Sequence, residues 1–211
     1  IESSCDETAA SVCVDGMIAS NVIASQEIHK LYGGVVPELA SRAHLQAIVP
    51  VVDEALKVAN IPLDAIAAFA FTQSPGLIGA LLVGTEFAKS LALACNRPLI
   101  AVHHMQAHVL ANLIKSTGNN NSIPSFPFLC LTVSGGHTQI VLCEDFLKMK
   151  VIGKTLDDAA GEAVDKSAKI LGLPYPGGTL IDQYAKTGNP KKYAFPEPKI
   201  DGLNFSFSGI K

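Results

Sequence analysis

The order in which apolar periodicity changes along this chain restricts its fold more than any single motif does. Residues 1–5, 9–14 and 17–24 alternate like short strands, with Asp15-Gly16 marking a tight hairpin between the second and third. Residues 37–59 then carry Ala43, Ala47, Val51, Ala55 and Val58 on one helical stripe, and Pro50 predicts that the helix is kinked or divided. A buried strand is expected over 65–72, a helix apolar almost all round over 79–95, and a second buried strand over 99–102 that leads into another helix. Residues 116–127 are polar, with the run Thr117-Gly118-Asn119-Asn120-Asn121-Ser122, and read as a linker. After them the plan restarts, with strands at 128–133, 138–143 and 150–154 and helices at 158–171 and 179–186. Strands and helices that alternate in this way imply an α/β protein.

Three strands followed by alternating helices and strands is the order of a ribonuclease-H-like unit. Two such lobes in tandem form the actin-like (ASKHA) fold, with a nucleotide cleft between them. The expected organisation is a first lobe at 1–116, a linker at 117–127 and a second lobe at 128–211 that stops before its remaining strands and helices. The chain opens at Ile1 inside an apparent strand, so its natural start is expected to lie upstream. With 48% hydrophobic and 17% charged residues the chain has the material for a folded core. A formal charge of −3 gives no basic footprint of the kind that autonomous nucleic-acid binders carry. No apolar run approaches the ~18 residues that span a bilayer, and no signal peptide is visible. Five cysteines without a CxxC pair, four of them in or beside apolar runs, favour buried free thiols in a reducing compartment.

The segment His103-His104-Met105-Gln106-Ala107-His108 follows the strand at 99–102 directly. If it is helical, His104 and His108 share a face, with Cβ atoms about 5–6 Å apart, and two imidazoles can meet one metal ion. The end of a strand is also where α/β proteins keep ligands. A lone histidine in such a place is more often a hydrogen-bonded structural residue; a spaced pair at a strand end favours the metal. The spacing resembles HExxH, but Met105 stands where a zincin has its general-base Glu, which argues against proteolysis by that route.

Ser134-Gly135-Gly136 falls in the turn of the second hairpin, where backbone N–H groups can form a nest for phosphate or where two glycines simply make a hairpin. Ser3-Ser4-Cys5-Asp6-Glu7-Thr8 is the matching turn of the first half and is equally open to ordinary turn chemistry. Thr155 and Asp158 fit a capping pattern for the helix that follows, with Ala160, Val164, Ala168 and Leu171 on its buried side. Its other face, Asp158, Glu162, Asp165 and Lys169, reads as a solvated stripe or as acceptors for ribose hydroxyls. Gly177-Gly178 precedes the next helix, and Asp182 lies one turn into it. The glycines of Ser74-Pro75-Gly76-Leu77-Ile78-Gly79 and Gly84 are read as packing surfaces.

Taken together, Glu2-Ser3-Ser4-Cys5-Asp6-Glu7-Thr8, residues 32–42, 75–81, 103–108, 133–138, 157–166 and 175–178, and Phe205-Ser206-Phe207-Ser208-Gly209 closely resemble the TsaD family. These are the universal tRNA threonylcarbamoyladenosine transferases, once labelled O-sialoglycoprotein endopeptidases (glycoproteases), and the bacterial-type members are the more similar. The resemblance implies transfer of a threonylcarbamoyl group from threonylcarbamoyl-AMP to N6 of adenosine 37 in tRNAs that read codons starting with A. It implies one divalent metal, Fe2+ or Zn2+, on His104 and His108 plus a later Asp. It also implies adenylate contacts from Thr132, Val133, Ser134, Gly135, Gly136, Asp165, Gly178 and Asp182 plus a later Asn, in a site that ATP or AMP can also occupy. The later Asp and Asn are expected beyond Lys211, so the 211 residues by themselves are expected to be inactive. Implied partners are tRNA, an inactive paralogue of the same fold and a small P-loop ATPase, with no membrane; the implied location is cytoplasmic, or alternatively mitochondrial. A metal-dependent glycoprotein endopeptidase and a non-catalytic actin-like scaffold are the competing functions. The absent Glu beside His104 counts against the first, and the presence of both histidines against the second.

Overall fold

The computed structural model describes residues 1–114, 123–195 and 197–211. They fall into two compact units, Ile1–Ile123 and Pro124–Lys211. The expected linker lies outside the described residues over 117–122.

In the first unit, β1 (Glu7–Val14) and β2 (Met17–Ser25) pair as an antiparallel hairpin. Asp15 and Gly16 both take positive φ at its tip, as the Asp-Gly turn requires. Residues 1–5 were expected as a further strand, but only the first two join the sheet. Glu2 exchanges both backbone hydrogen bonds with Ala9, while Ile1 pairs on its other side with Ala70 and Thr72. The chain then leaves the sheet, because Ser3 Oγ donates to Ala80 O, Gly84 N–H donates to Ser3 Oγ, and Leu77 N–H donates to Ser4 O. The edge at Ala70 belongs to β3 (Phe69–Ser74), which runs parallel to β4 (Leu99–His103). Backbone hydrogen bonds thus run in the order β2, β1, residues 1–2, β3, β4. The strand expected over 65–72 begins later because Leu63–Ala65 forms a 3-10 turn after Pro62.

Helix α1 (Pro37–Ala59) has Pro37 in its first turn and ends on Asn60 in the left-handed conformation. Pro50 does not divide it. Its buried stripe is Ala40, His44, Ile48, Val51 and Ala55, rotated from the expected one, and Val58 is exposed. The rotation has a polar cause: His44 is fully buried, with Nδ1 2.8 Å from Thr8 Oγ1 and Nε2 3.1 Å from Cys5 O. Val51 and Ala55 pack against Ala10 and Val12 of β1 to form the core.

Helix α2 (Ile78–Ala94) buries Ala80, Gly84, Ala88 and Ala92. Its other apolar face, including Ile78 and Leu82, is exposed. A Cβ at Gly76 would stand 2.6 Å from Ser4 O, and one at Gly84 would strike Ser3, so these glycines do serve close packing. β4 was expected to be buried, yet Leu99 and Ile100, which point to opposite faces of the strand, are both exposed.

In the second unit, β5 (Phe128–Val133), β6 (Thr138–Asp145) and β7 (Lys148–Lys154) form an antiparallel meander. Helices α4 (Ala160–Ile170) and α5 (Gly178–Ala185) follow. The core is small: Val141 and Cys143 of the sheet, with Ala159, Ala163 and Ala168 at the helical layer. Val164 and Leu171, expected inside, are exposed. Residues 203–208 return along β7, where Phe205 pairs with Lys154 and Leu156. The five cysteines lie outside any disulfide, but Cys143 alone is buried; Cys5 and Cys13 lie exposed, against the expectation of buried thiols. Among the described residues no helix is long and apolar enough to cross a membrane.

Candidate functional site

Strand β4 runs straight into α3 (His104–Leu110), so the backbone turns helical at the histidines. His103 is the residue that caps this helix, its Nδ1 accepting the Gln106 N–H at 3.4 Å. Met105 and Val109 face the interior. His104 and His108 therefore share the opposite side, with rings edge-on and Nε2 atoms 3.0 Å apart. Burial, and then the neighbouring His104, push His108 below its ordinary pKa. Met105, the residue at the zincin Glu position, points into the core and away from the pair.

The pair is held from behind by a residue that the sequence pattern did not single out. Glu2 Oε2 lies 3.3 Å from His104 Nδ1, and Ser4 Oγ also lies 3.3 Å from that nitrogen. Ser4 N–H donates to Glu2 Oε1, and Thr72 Oγ1 donates to Oε2. Burial alone would raise the Glu2 carboxyl, but the hydrogen bonds from His104, Ser4 and Thr72 prevail and hold it at about 2. Nothing local marks Glu2 as a partner of His104: 102 positions separate them, and only the sheet order brings them together.

The donor set suits a metal ion. Two nitrogens bound to one tetrahedral zinc at roughly 2.0–2.1 Å stand about 3.4 Å apart, a few tenths from the spacing here. Among the described residues no group of three histidines, cysteines or carboxylates converges on one point.

In the second unit the expected adenylate residues divide into two groups. Thr132 is the last but one residue of β5, with a buried Oγ1 that has no hydrogen-bond partner among the described residues, and Val133, which ends the strand, is exposed. Ser134 braces the turn: its N–H and Oγ both donate to His137 O, and His137 N–H returns a bond to Ser134 Oγ. Gly135 and Gly136 face open space. The first turn of α4 sits against this bend, with Gly161 N–H donating to Ser134 O at 3.2 Å. A Cβ on Gly161 would lie 2.8 Å from that oxygen, so the helix can approach only as glycine. Gly161 was not among the expected site residues.

The Thr155–Asp158 capping pattern does not form. Thr138 Oγ1 of β6 accepts the Ala160 N–H instead, while Thr155 Oγ1 donates to Asp158 O. Asp158 precedes the helix and pairs with Lys166 and Lys211, and Glu162 also pairs with Lys166, so that part of the acidic stripe is internally matched. Asp165 differs: its Oδ1 accepts the N–H groups of Gly177 and Gly178, tying α4 to the start of α5. Asp182 is exposed on α5 beside Lys186. Asp157, also unanticipated, gathers the hydroxyl of Ser206 and the N–H groups of Phe207 and Ser208.

A family model described as "TsaD: tRNA N6-adenosine threonylcarbamoyltransferase" matches residues 17–211. The chain belongs to that family. It is 63% identical, over its whole length, to a protein of that name from Christiangramia forsetii, and 57% identical to one from Phocaeicola vulgatus. It spans 62% of the length of each of these relatives. Among solved structures it is similar to YeaZ from Pseudomonas aeruginosa, at a TM-score of 0.45 and 16% identity, over 71% of this chain and 60% of that one.

Proposed function

We propose that the protein transfers a threonylcarbamoyl group from threonylcarbamoyl-AMP to N6 of adenosine 37 in tRNA. The observation that carries this reading is membership of a family of that description across residues 17–211. The two units are read as lobes of an actin-like fold. Support comes from the pairing order β2, β1, residues 1–2, β3, β4 in the first unit and from the three-stranded meander that opens the second.

In this reading the reaction breaks the carbamoyl–phosphate bond of a mixed anhydride, forms a bond to the exocyclic amine and releases AMP. In the Ser134-Gly135-Gly136 turn the backbone N–H groups of Gly135 and Gly136 are suited to the phosphate, because no described atom stands where their side chains would be. Thr132, with a buried hydroxyl that has no partner among the described residues, and Val133 flank them. Asp165 and Gly178 present a carboxylate beside a helix start, and Asp182 a second carboxylate, for the ribose hydroxyls. Their role is to hold the adenylate so that binding energy orients the carbamoyl carbon toward the incoming amine. His104 and His108 would hold one divalent ion, Fe2+ or Zn2+. When bound, such an ion supplies Lewis-acid stabilisation of charge on substrate oxygens. The further partners in this reading are the tRNA, an inactive paralogue of the same fold and a small P-loop ATPase, in the cytoplasm or a mitochondrion.

The test is transfer of labelled threonylcarbamoyl from synthetic threonylcarbamoyl-AMP to tRNA by the full-length protein with its partners, with glycophorin cleavage as a parallel assay. Modified tRNA and intact glycophorin are expected. Cleavage without transfer would overturn the reading.

A further inference from the structure

We infer that Glu2 is a positioning residue for His104: it fixes the imidazole as the Nδ1–H tautomer, so that a lone pair rather than an N–H faces His108. The inference rests on the metal-binding reading of the pair, but its first half concerns the protein without metal.

A neutral imidazole carries one proton, and the neighbours of the two nitrogens decide where it sits. His104 Nδ1 faces Glu2 Oε2 at 3.3 Å, and an ionised carboxylate can only accept. The Ser4 hydroxyl at the same distance can donate or accept, so it does not decide the matter. The proton therefore belongs on Nδ1, and Nε2 is left with its lone pair, 3.0 Å from His108 Nε2.

Glu2 can enforce this choice because it cannot turn away. Its backbone is paired with Ala9 through both N–H and C=O, and its carboxylate accepts from Ser4 N–H on one oxygen and from Thr72 Oγ1 on the other. Those bonds also keep the carboxylate on the Nδ1 side of the ring, as an outer partner and not a third ligand. Such a carboxylate orients a ligating imidazole and raises its basicity, and losing it typically costs 10–100-fold in metal affinity.

The amide of Glu2→Gln can satisfy Ser4 N–H with its oxygen only by turning its NH2 toward His104 and Thr72. That arrangement pushes the His104 proton to Nε2. The experiment uses the full-length protein, labelled with 15N at histidine, and Zn2+ as the probe. Long-range 1H–15N spectra of the metal-free protein report the tautomer of His104, and competition with a chromophoric chelator reports zinc affinity. The expected result is an Nδ1–H tautomer in the wild type, and in Glu2→Gln a shift toward Nε2–H with about 10–100-fold weaker zinc binding. A wild-type His104 that carries its proton on Nε2 overturns the inference whether or not the variant folds. A folded Glu2→Gln protein that binds zinc as the wild type does also overturns it. If the wild type takes up no zinc, or His104→Ala loses none, the metal reading is what fails, and the tautomer alone then decides the role of Glu2.

Discussion

Asp165 and Gly178 are joined by a 2.9 Å hydrogen bond from the glycine N–H to carboxylate Oδ1, and the same oxygen accepts from Gly177 at 3.0 Å. The carboxylate thus stitches α4 to the first turn of α5, where a negative charge also complements the helix dipole. A ligand role for Asp165 has to coexist with this structural one, and two substitutions separate them.

Asp165→Ala removes both functions. Hydrogen bonds to a charged group contribute roughly 1.5–3 kcal/mol, so urea unfolding of the full-length protein should show a loss of about that size. Asp165→Asn keeps an oxygen for the two N–H groups and removes the charge. Its stability should stay within about 1 kcal/mol of wild type, while AMP affinity by calorimetry falls about tenfold or more. Equal AMP affinity in the Asn variant and wild type would leave Asp165 only its stitching role.

Gly161 and Gly135 lie at the same bend but should respond differently to alanine. A Cβ on Gly161 meets Ser134 O at 2.8 Å and Gly135 N at 2.9 Å, both of them backbone atoms that cannot swing aside. Overpacking of this kind costs about 1–3 kcal/mol, and Gly161→Ala should lower the melting temperature accordingly. Gly135→Ala enters open space and should leave it nearly unchanged. Similar melting temperatures for the two variants would mean that α4 does not rest on the turn.

These two residues show where sequence reading reaches and where it stops. The ends of α1 were legible because Pro37 and Asn60 mark them by local backbone preference, and the β1–β2 hairpin because Asp15-Gly16 does the same. His104 and His108 were legible because helical spacing is itself local. What escaped was set by distant partners. Thr138 caps α4 from another strand and displaces the Thr155 pattern, and Thr8 and the Cys5 carbonyl draw His44 inside and rotate the face of α1. β4 reads as a buried strand by composition, yet burial depends on what covers it, and no pattern within five residues carries that information.

The histidines on and beside α3 should differ sharply in metal retention. His104 and His108 bring their Nε2 atoms to 3.0 Å, whereas His103 is occupied in capping the helix, and His137 belongs to the glycine turn of the other unit. Elemental analysis of the full-length protein should find metal lost in His104→Ala and His108→Ala, and retained in His103→Ala and His137→Ala. Full occupancy in either of the first two would remove the pair from the metal site.

The last prediction concerns acid. Asp157 holds the returning segment through the Ser206 hydroxyl and the N–H groups of Phe207 and Ser208, and those bonds lower its carboxyl to about 2 from an ordinary 3.8. A carboxyl whose pKa is depressed by folding binds its proton more readily when the segment is released. Its contribution is therefore complete above the ordinary value and is lost as the pH falls from about 4 through about 2. Asp158, lowered first by Lys211 and then by Lys166, acts in the same direction. Amide hydrogen exchange at Phe207 and Ser208 in the full-length protein, corrected for intrinsic rates, should be protected at pH 5 and lose protection over that acid range. In Asp157→Asn the carboxylate is gone at every pH, so protection should already be weak at pH 5 and change little on acidification. If the wild type and Asp157→Asn lost protection along the same pH curve, the tether would depend on something other than this carboxylate.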